Sequence, residues 1–214
     1  MKPLTPIRFL ITAGPTREFI DPIRFISNRS SGKMGYALAE AARAVSSQVM
    51  LVSGPTALTP PKGIEFVPVV TAQEMSDAVW ARFEQSDIVI MAAAVCDFRP
   101  KAVAPQKIKK TRLGGGLTLP FEPTPDILAE LGRRKKSQTL IGFAAETENL
   151  EANALDKLRR KNLDLIVAND ASAFESDTND VTLISAAGKT ERLSAMTKTK
   201  VAAAIIRRAV ELRS

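Results

Sequence analysis

The chain has 214 residues, a formal net charge of +7, and a composition that is 45% hydrophobic and 25% charged, which is the range of ordinary globular proteins of one or two domains at roughly 100–200 residues each. Cys96 is the only cysteine and there is no histidine. An intramolecular disulfide, Cys/His zinc spacing and every nucleophile system that needs a histidine base are therefore excluded, and chemistry falls to lysine, arginine, carboxylates, amides and backbone groups.

In chain order, the N-terminal apolar run is too short, and too soon followed by Arg17 and Glu18, to be a signal peptide. No stretch approaches the ~20 apolar residues of a bilayer span. A soluble, cytoplasmic protein without a membrane partner is expected. Residues 8–13 (RFLITA) read as a strand closed by Gly14-Pro15-Thr16. A helix is expected over 32–44, with Leu38, Ala41, Ala42 and Ala44 on one side, then strands over 48–53 and 64–70. Thr71 with Glu74 three positions on forms a capping box that opens a helix through Phe83. Residues 87–94 (DIVIMAAA) are almost continuously apolar, as in a strand buried on both faces. Residues 98–125 break the alternation with Pro100, Pro105, Pro120, Pro123 and Pro125, a lysine cluster and the run Gly114-Gly115-Gly116. Within them, 108–113 and 117–121 can pair as a hairpin across the glycines. A helix starts at Pro125-Asp126-Ile127-Leu128, strands follow over 139–145 and 163–168 around a helix at 150–161, and the chain ends with a strand at 181–185, a turn at Ala187-Gly188, a short strand and a helix over 198–212. This alternation predicts an α/β fold, a doubly wound and mainly parallel sheet with an irregular hairpin excursion near 98–125, in a single domain spanning 1–214.

Five segments can carry chemistry. Residues 14–35 make a strand-to-helix connection far longer than the usual two to six residues, and the free N–H groups of the helix after it form an anion site. It is neither a Walker A loop, since Lys33 is followed by Met34, nor a dinucleotide fingerprint, since Gly14 is followed by Pro15 and Thr16. At the end of the fourth strand, Met91, Ala92 and Ala93 let a planar ligand approach the backbone, and Asp97 is placed to accept hydroxyl hydrogens from a ribose; the competing reading is that Asp97 caps a turn and the alanines pack a helix. Cys96 has no histidine partner and reads as a packing residue. Lys107-Ile108-Lys109-Lys110 concentrates mobile positive charge of the kind a triphosphate needs, or protects a sheet edge. Asp126 at a helix start, Phe143 at the end of the fifth strand, and Lys157 and Lys161 four apart on one helical face complete the set. Each also has an ordinary structural role.

Together these stretches resemble the phosphopantothenoylcysteine synthetases, the ligase half of the bacterial bifunctional coenzyme A biosynthesis protein. The matching order is GPTREFIDPIRFISNRSSGKMG, AAAVCDFRP, KIKK, PTPDIL, GFAAET and KNLDLIVAND, nearly the whole chain. The resemblance implies a Rossmann-like homodimeric ligase that uses CTP and Mg2+ to activate phosphopantothenate as an acyl-cytidylate and then forms an amide with L-cysteine, in coenzyme A biosynthesis. It also implies that Met91, Ala92 and Ala93 read the base through the main chain, that Asp97 holds the ribose, and that Lys107 serves acyl-cytidylate formation. Pro125, Asp126, Ile127, Leu128, Phe143, Lys157 and Lys161 complete the nucleotide site. Asn28 lies over the acyl-phosphate with Arg24 nearby. Thr124 stands where the family usually has asparagine, and Cys96 where a residue such as alanine is commoner; both bear on base contacts. The decarboxylase half is absent from these residues, so the chain is either a monofunctional ligase, with a separate phosphopantothenoylcysteine decarboxylase as a candidate partner, or a domain excised from a longer protein. An NAD(P)-dependent reductase shares the fold class but needs a glycine fingerprint and a Tyr-Lys or His pair, whereas Tyr36 lies in the first predicted helix. A nucleic-acid-binding module would explain the charge, but basic clusters are scattered and aromatics are 5%. A non-catalytic nucleotide binder is opposed by Asn28 and Lys107.

Overall fold

The run RFLITA forms β1 (Arg8–Ala13), in which every side chain after Arg8 is buried. A strand buried on both faces has to lie inside a sheet covered by helices on each side, and the rest of the chain builds that arrangement around it. The structure is a computed structural model that describes residues 6–109, 116–146, 149–170 and 178–213. After β1 come a short ribbon of β2 (Arg17–Phe19) and β3 (Phe25–Ser27), then α1 (Lys33–Arg43), β4 (Gln48–Ser53), β5 (Glu65–Pro68), α2 (Ala72–Phe83) and β6 (Ile88–Met91). A second ribbon, β7 (Phe98–Pro100) with β8 (Phe121–Pro123), precedes α3 (Ile127–Arg134), β9 (Thr139–Glu146), α4 (Leu150–Arg160) and β10 (Leu165–Asp170). The chain closes with β11 (Thr178–Ser185), β12 (Thr190–Thr197) and α5 (Lys198–Arg213).

The main sheet runs β5-β4-β1-β6-β9-β10-β11-β12. It is parallel from β5 to β10, and only β11 and β12 are antiparallel. Alternate side chains of a strand point to opposite faces, and β1 shows the consequence. Phe9, Ile11 and Ala13 pack with Leu38 and Ala42 of α1 and Ile205 and Ile206 of α5, whereas Leu10 packs with Met75 and Val79 of α2, Leu131 of α3 and Leu158 of α4. The expected doubly wound α/β architecture is what the chain adopts. The capping box is also present: the Thr71 hydroxyl accepts from the Glu74 N–H, and the Glu74 carboxylate accepts from the Thr71 N–H.

Three expectations need correction. Ala44 is exposed at the C-cap of α1 rather than on its buried face, which holds Tyr36, Leu38, Ala39 and Ala42. The strand expected over 87–94 ends at Met91, because both its neighbouring ladders stop there. The hairpin of 108–113 with 117–121 does not form in the residues described, where 108–109 and 117–120 are not strand; residues 110–115, including Lys110, lie outside the described residues. Pairing occurs instead between Phe98–Pro100 and Phe121–Pro123. Prolines lack the N–H a ladder uses, and with Pro100 and Pro123 at the strand ends and Pro120 just before β8 the ribbon is only three residues long. The β2–β3 ribbon was not foreseen. Three-residue strands carry no periodicity to read, and this one is braced by the edge-on contact of Phe19 with Phe25 at 6.0 Å and by Arg17 over the Phe25 ring at 4.6 Å.

At the opposite edge from the strand carboxyl ends, the Asp87 carboxylate joins three elements. It accepts from the Arg8 backbone N–H and guanidinium at 2.9–3.0 Å and from Arg213 Nη2 at 2.8 Å. The Arg8 guanidinium holds its carboxyl below the usual carboxylate range despite the opposing effect of burial. A carboxyl held low in the fold contributes stability that is complete above its unfolded value, about 3.9, and is lost as pH falls through the folded value. Asp87→Asn should cost about 1–3 kcal/mol at pH 7, with the gap to the parent protein closing as pH falls below about 4. Urea titrations across that range measure both, and a variant as stable as the parent at pH 7 would remove the clamp's role.

Candidate active site

From β1 the chain crosses over α1 to β4 on one side, and after β5 it returns through α2 to β6 on the other side. The connections therefore diverge between β1 and β6, and a crevice opens beyond the carboxyl ends of the strands, the general ligand position in such sheets. Its floor is tightly tied. The Ala94 N–H donates to Gly14 O at 2.9 Å and the Thr16 N–H donates to Ala94 O at 3.3 Å. The Thr16 hydroxyl accepts from the Cys96 N–H at 2.9 Å, and the Thr12 hydroxyl from the Ala93 N–H at 3.1 Å.

On one side stands the start of α1. Its N-cap is Gly32 at φ +76°, a left-handed conformation that favours glycine, with no side-chain cap and no acidic residue in the first turn. A Cβ on Gly35 would lie 2.4 Å from Ala13 Cβ, so only glycine lets the helix sit this close on β1. The first-turn N–H groups and Lys33 thus face the crevice as an anion-binding end. Ser30, Gly32, Lys33, Ala92, Asn169 and Lys198 are among the residues lining this lobe, of about 280 Å³. A second lobe of about 340 Å³ is lined by Met91, Cys96, Thr124, Pro125, Asp126, Ile127, Leu128 and Lys161. Ala93, Val95, Asp97, Phe143 and Lys157 border both lobes, which makes them one cleft.

Most of the residues singled out from sequence meet here. Because the ladders on β6 end at Met91, main-chain groups beyond it are outside the sheet, although the Ala93 N–H is already taken by Thr12. Asp97 is exposed on the cleft wall, and among the described residues its carboxylate accepts no hydrogen bond. Asn28, at the end of β3, donates from Nδ2 to the carbonyls of Ala94 and Val95 at 3.3 and 2.9 Å, which fixes its amide against the strand end. Asp126 is the N-cap of α3, accepting from the Ala129 N–H at 3.1 Å and from Lys161 Nζ at 2.8 Å. Burial would raise its carboxyl, but Lys161, the Ala129 N–H and the Lys157 charge outweigh it and hold it below the usual range. That pair draws the start of α3 to the end of α4.

Lys107 and Arg24 are not in the cleft wall. Lys107 is exposed, and Arg24 is paired with Asp21 at 2.6 Å in the turn between β2 and β3. Cys96 is buried, and burial pushes its thiol up, with the charges of Glu18 and Asp97 adding to the effect. It is protonated at neutral pH and unsuited to nucleophilic attack. Sequence reasoning missed Asn169 and Lys198. A polar residue ending the parallel strand β10 is a readable signal for Asn169; nothing local announces Lys198, which reaches the cleft only because α5 packs beside α1.

Residues 4–212 match the family model described as the DNA/pantothenate metabolism flavoprotein C-terminal domain. The coenzyme A biosynthesis bifunctional protein CoaBC of Bacillus subtilis (strain 168) is 52% identical over 209 residues, 95% of this chain and 51% of that protein. A protein named cysteine/cysteine sulfinic acid decarboxylase, from an unknown prokaryotic organism, is 46% identical over 99% of this chain and 60% of its own length. The crystal structure of the C-terminal domain of a CoaBC protein superposes with a TM-score of 0.83 at 47% identity, covering 96% of this chain and 94% of that one. The chain spans about half the length of the curated CoaBC protein.

If Asp97 accepts ribose hydroxyls, Asp97→Asn should weaken nucleoside triphosphate binding by about 10–100-fold, the loss of about 1.5–3 kcal/mol from a charged hydrogen bond. The variant should also stop distinguishing a ribonucleotide from its dideoxy analogue. Calorimetric titration with both ligands checks this, and discrimination that survives the substitution would move the ribose elsewhere.

Proposed function

The chain belongs to the DNA/pantothenate metabolism flavoprotein C-terminal domain family, and on that premise we propose that it is a phosphopantothenate–cysteine ligase acting in coenzyme A biosynthesis. The observation that carries the reading is the chemistry of the cleft. It offers a helix N-terminus, lysines and main-chain groups at a switch point, its serines have no histidine base because the chain contains none, and its one thiol is buried and protonated. Such a site suits a reaction whose substrates supply the nucleophiles while the protein supplies position and charge.

In this reading the phosphopantothenate carboxylate attacks the α-phosphorus of CTP, the bond to the β-phosphate breaks, and pyrophosphate leaves. The amine of L-cysteine then attacks the acyl carbon, the bond to CMP breaks, and the amine gives up a proton as the amide forms. The two lobes divide the work. The α1 end with Lys33 and Lys198 takes anionic oxygens. The lobe bounded by Asp97, Pro125 to Leu128 and Phe143 takes the nucleoside, with Lys157 and Lys161 beside it. Asn28, anchored by its Nδ2 to the β6 end, is oriented over the reacting acyl group, and Lys107 serves acyl-cytidylate formation. Thr124 donates its hydroxyl to Cys96 O at 2.5 Å, so its proton is not directed at a base. Mg2+ would travel with the triphosphate, neutralising phosphate charge and keeping most of its waters; among the described residues no group of three or more carboxylate or cysteine side chains forms a metal cage.

A homodimer fits the same picture. Ile23 and Phe25 of the first ribbon and Phe98 and Phe121 of the second are large apolar side chains left exposed, and β2 packs beside β7 so the two ribbons adjoin. Exposed apolar side chains on adjoining ribbons are what an interaction site needs, and a second copy is the occupant proposed. A decarboxylase is the further partner proposed, since the CoaBC relatives are bifunctional and this chain spans about half the length of one. No helix is long and apolar enough to cross a membrane among the described residues, and a cytoplasmic setting is part of the proposal.

Purified protein given phosphopantothenate, Mg2+ and CTP should release pyrophosphate and form the cysteine amide only when cysteine is added. ATP serving equally well would overturn the base assignment, and no release with either nucleotide from folded protein would overturn the ligase. In light scattering the chain should run as a dimer, and Phe98→Ser with Phe121→Ser should shift it toward monomer. A parent protein that is monomeric at micromolar concentration removes the dimer.

A further inference from the structure

The turn between β2 and β3 lies at the surface, with Pro22, Ile23 and Arg24 exposed, yet Asp21 within it is 0% exposed. Its Oδ1 accepts the N–H groups of Ile23 and Arg24, both at 2.9 Å. That is the Asx turn any aspartate or asparagine makes. Its Oδ2 does something the turn does not require. It accepts Arg24 Nε at 3.0 Å and Nη2 at 2.6 Å, and it accepts the Ile108 N–H at 3.2 Å. The same Arg24 Nη2 donates to Ile108 O at 2.7 Å. Both main-chain polar groups of Ile108 are thereby held by one carboxylate–guanidinium pair from a distant part of the chain. Close by, the Ala104 N–H donates to Ile20 O at 2.9 Å.

Lys107 immediately precedes Ile108, in a stretch with no strand or helix of its own. A lysine on an untethered loop spreads over many backbone states, and each residue ordered costs roughly 1–2 kcal/mol of entropy. Tethering in the ground state removes that cost from the reacting step. An exposed ion pair contributes little, but this carboxylate is buried and takes its donors from two segments far apart in the chain, so it sets their relative geometry. Burial alone would raise its carboxyl, but the Arg24 guanidinium and the N–H groups of Ile23, Arg24 and Ile108 outweigh it and hold it well below the carboxylate range, so the acceptor is charged whenever the protein is folded near neutrality.

We propose that Asp21 is a positioning residue for the ligase reaction: through Arg24 and the Ile108 peptide it fixes the root of the Lys107 segment, so that the lysine acts on phosphoryl oxygens from an anchored backbone. The inference rests on the function assigned above, because it requires Lys107 to take part in acyl-cytidylate formation. It also gives Arg24 a place, as the link between Asp21 and Ile108 rather than a group in the cleft wall.

Asp21→Asn tests it. Asparagine keeps the Asx-turn acceptor but puts an NH2 where Oδ2 was, facing the Arg24 guanidinium and the Ile108 N–H. Amide hydrogen exchange at Ile108 should quicken by at least about tenfold while Ala104, held by Ile20, stays within about threefold of the parent, which separates local release from general loosening. In pyrophosphate release with phosphopantothenate, kcat should fall by about 10–100-fold with KM for CTP changed by less than about threefold. Unchanged exchange at Ile108 overturns the latch, and faster exchange with unchanged kcat overturns its role in the reaction. Should Asp21→Asn not fold, Ile108→Pro removes the N–H that Asp21 accepts, at the cost of fixing φ at 108 and restricting Lys107 before it, and should show the same split between kcat and KM; a parent-like kcat there overturns the inference. A parent protein inactive with every nucleotide sinks the ligase assignment and this inference with it, whereas an active parent with an equally active Asp21→Asn sinks only this one.

Discussion

The site depends on β1 having parallel partners on both sides, β4 through one crossover and β6 through a later one. Crossovers that leave in opposite directions cannot both cover the strand ends between them, so a crevice at the β1–β6 boundary is built into the topology. Its depth follows from two further constraints. The ladders on β6 stop at Met91, and Gly35 lets α1 approach within contact of Ala13, which brings the helix N-terminus to the rim. A larger residue at position 35 would lift the helix and its N–H groups away from any anion.

Around that crevice the charges are arranged by role. At the amino-terminal edge of the sheet, Asp87 is surrounded by Arg8 and Arg213 and serves to tie β1, β6 and α5. At the carboxyl edge, Asp126 is neutralised by Lys161, but Asp97 has no such partner among the described residues and remains available to a ligand. Asp21 is the third case, a carboxylate whose partners connect two loops far apart in sequence. The same side-chain type therefore works as clamp at Asp87, as helix cap at Asp126 and as a link between loops at Asp21, and what separates these uses is the set of donors each oxygen meets.

The two ribbons tie down the described parts of the long connections without helices or long strands. β2–β3 and β7–β8 each pair over three residues, too few to be stable alone, and they support one another and the end of β6 through Thr16, Cys96 and Asn28. Their exposed phenylalanines, Phe25, Phe98 and Phe121, are where a second copy is proposed to sit.

The sequence alone determined the elements of the main sheet and its helices, because β1, β4 and β6 are continuous apolar runs, α2 begins with a capping box, and such signals act within a few residues of one another. It also narrowed the chemistry open to the site. With no histidine and one cysteine, histidine-based nucleophile systems were excluded, while Asp97 and Phe143 stood out at strand ends and Asn28 in the long connection after β1. What only the tertiary structure decided were the relations between segments far apart in the chain: the place of Lys198 beside the α1 end, the pairing of Lys161 with Asp126, the three-residue ribbons, and the hold of Asp21 and Arg24 on Ile108. These depend on directional hydrogen bonds and close packing between residues tens of positions apart. No local propensity encodes such contacts, since each partner alone is an ordinary loop or surface residue.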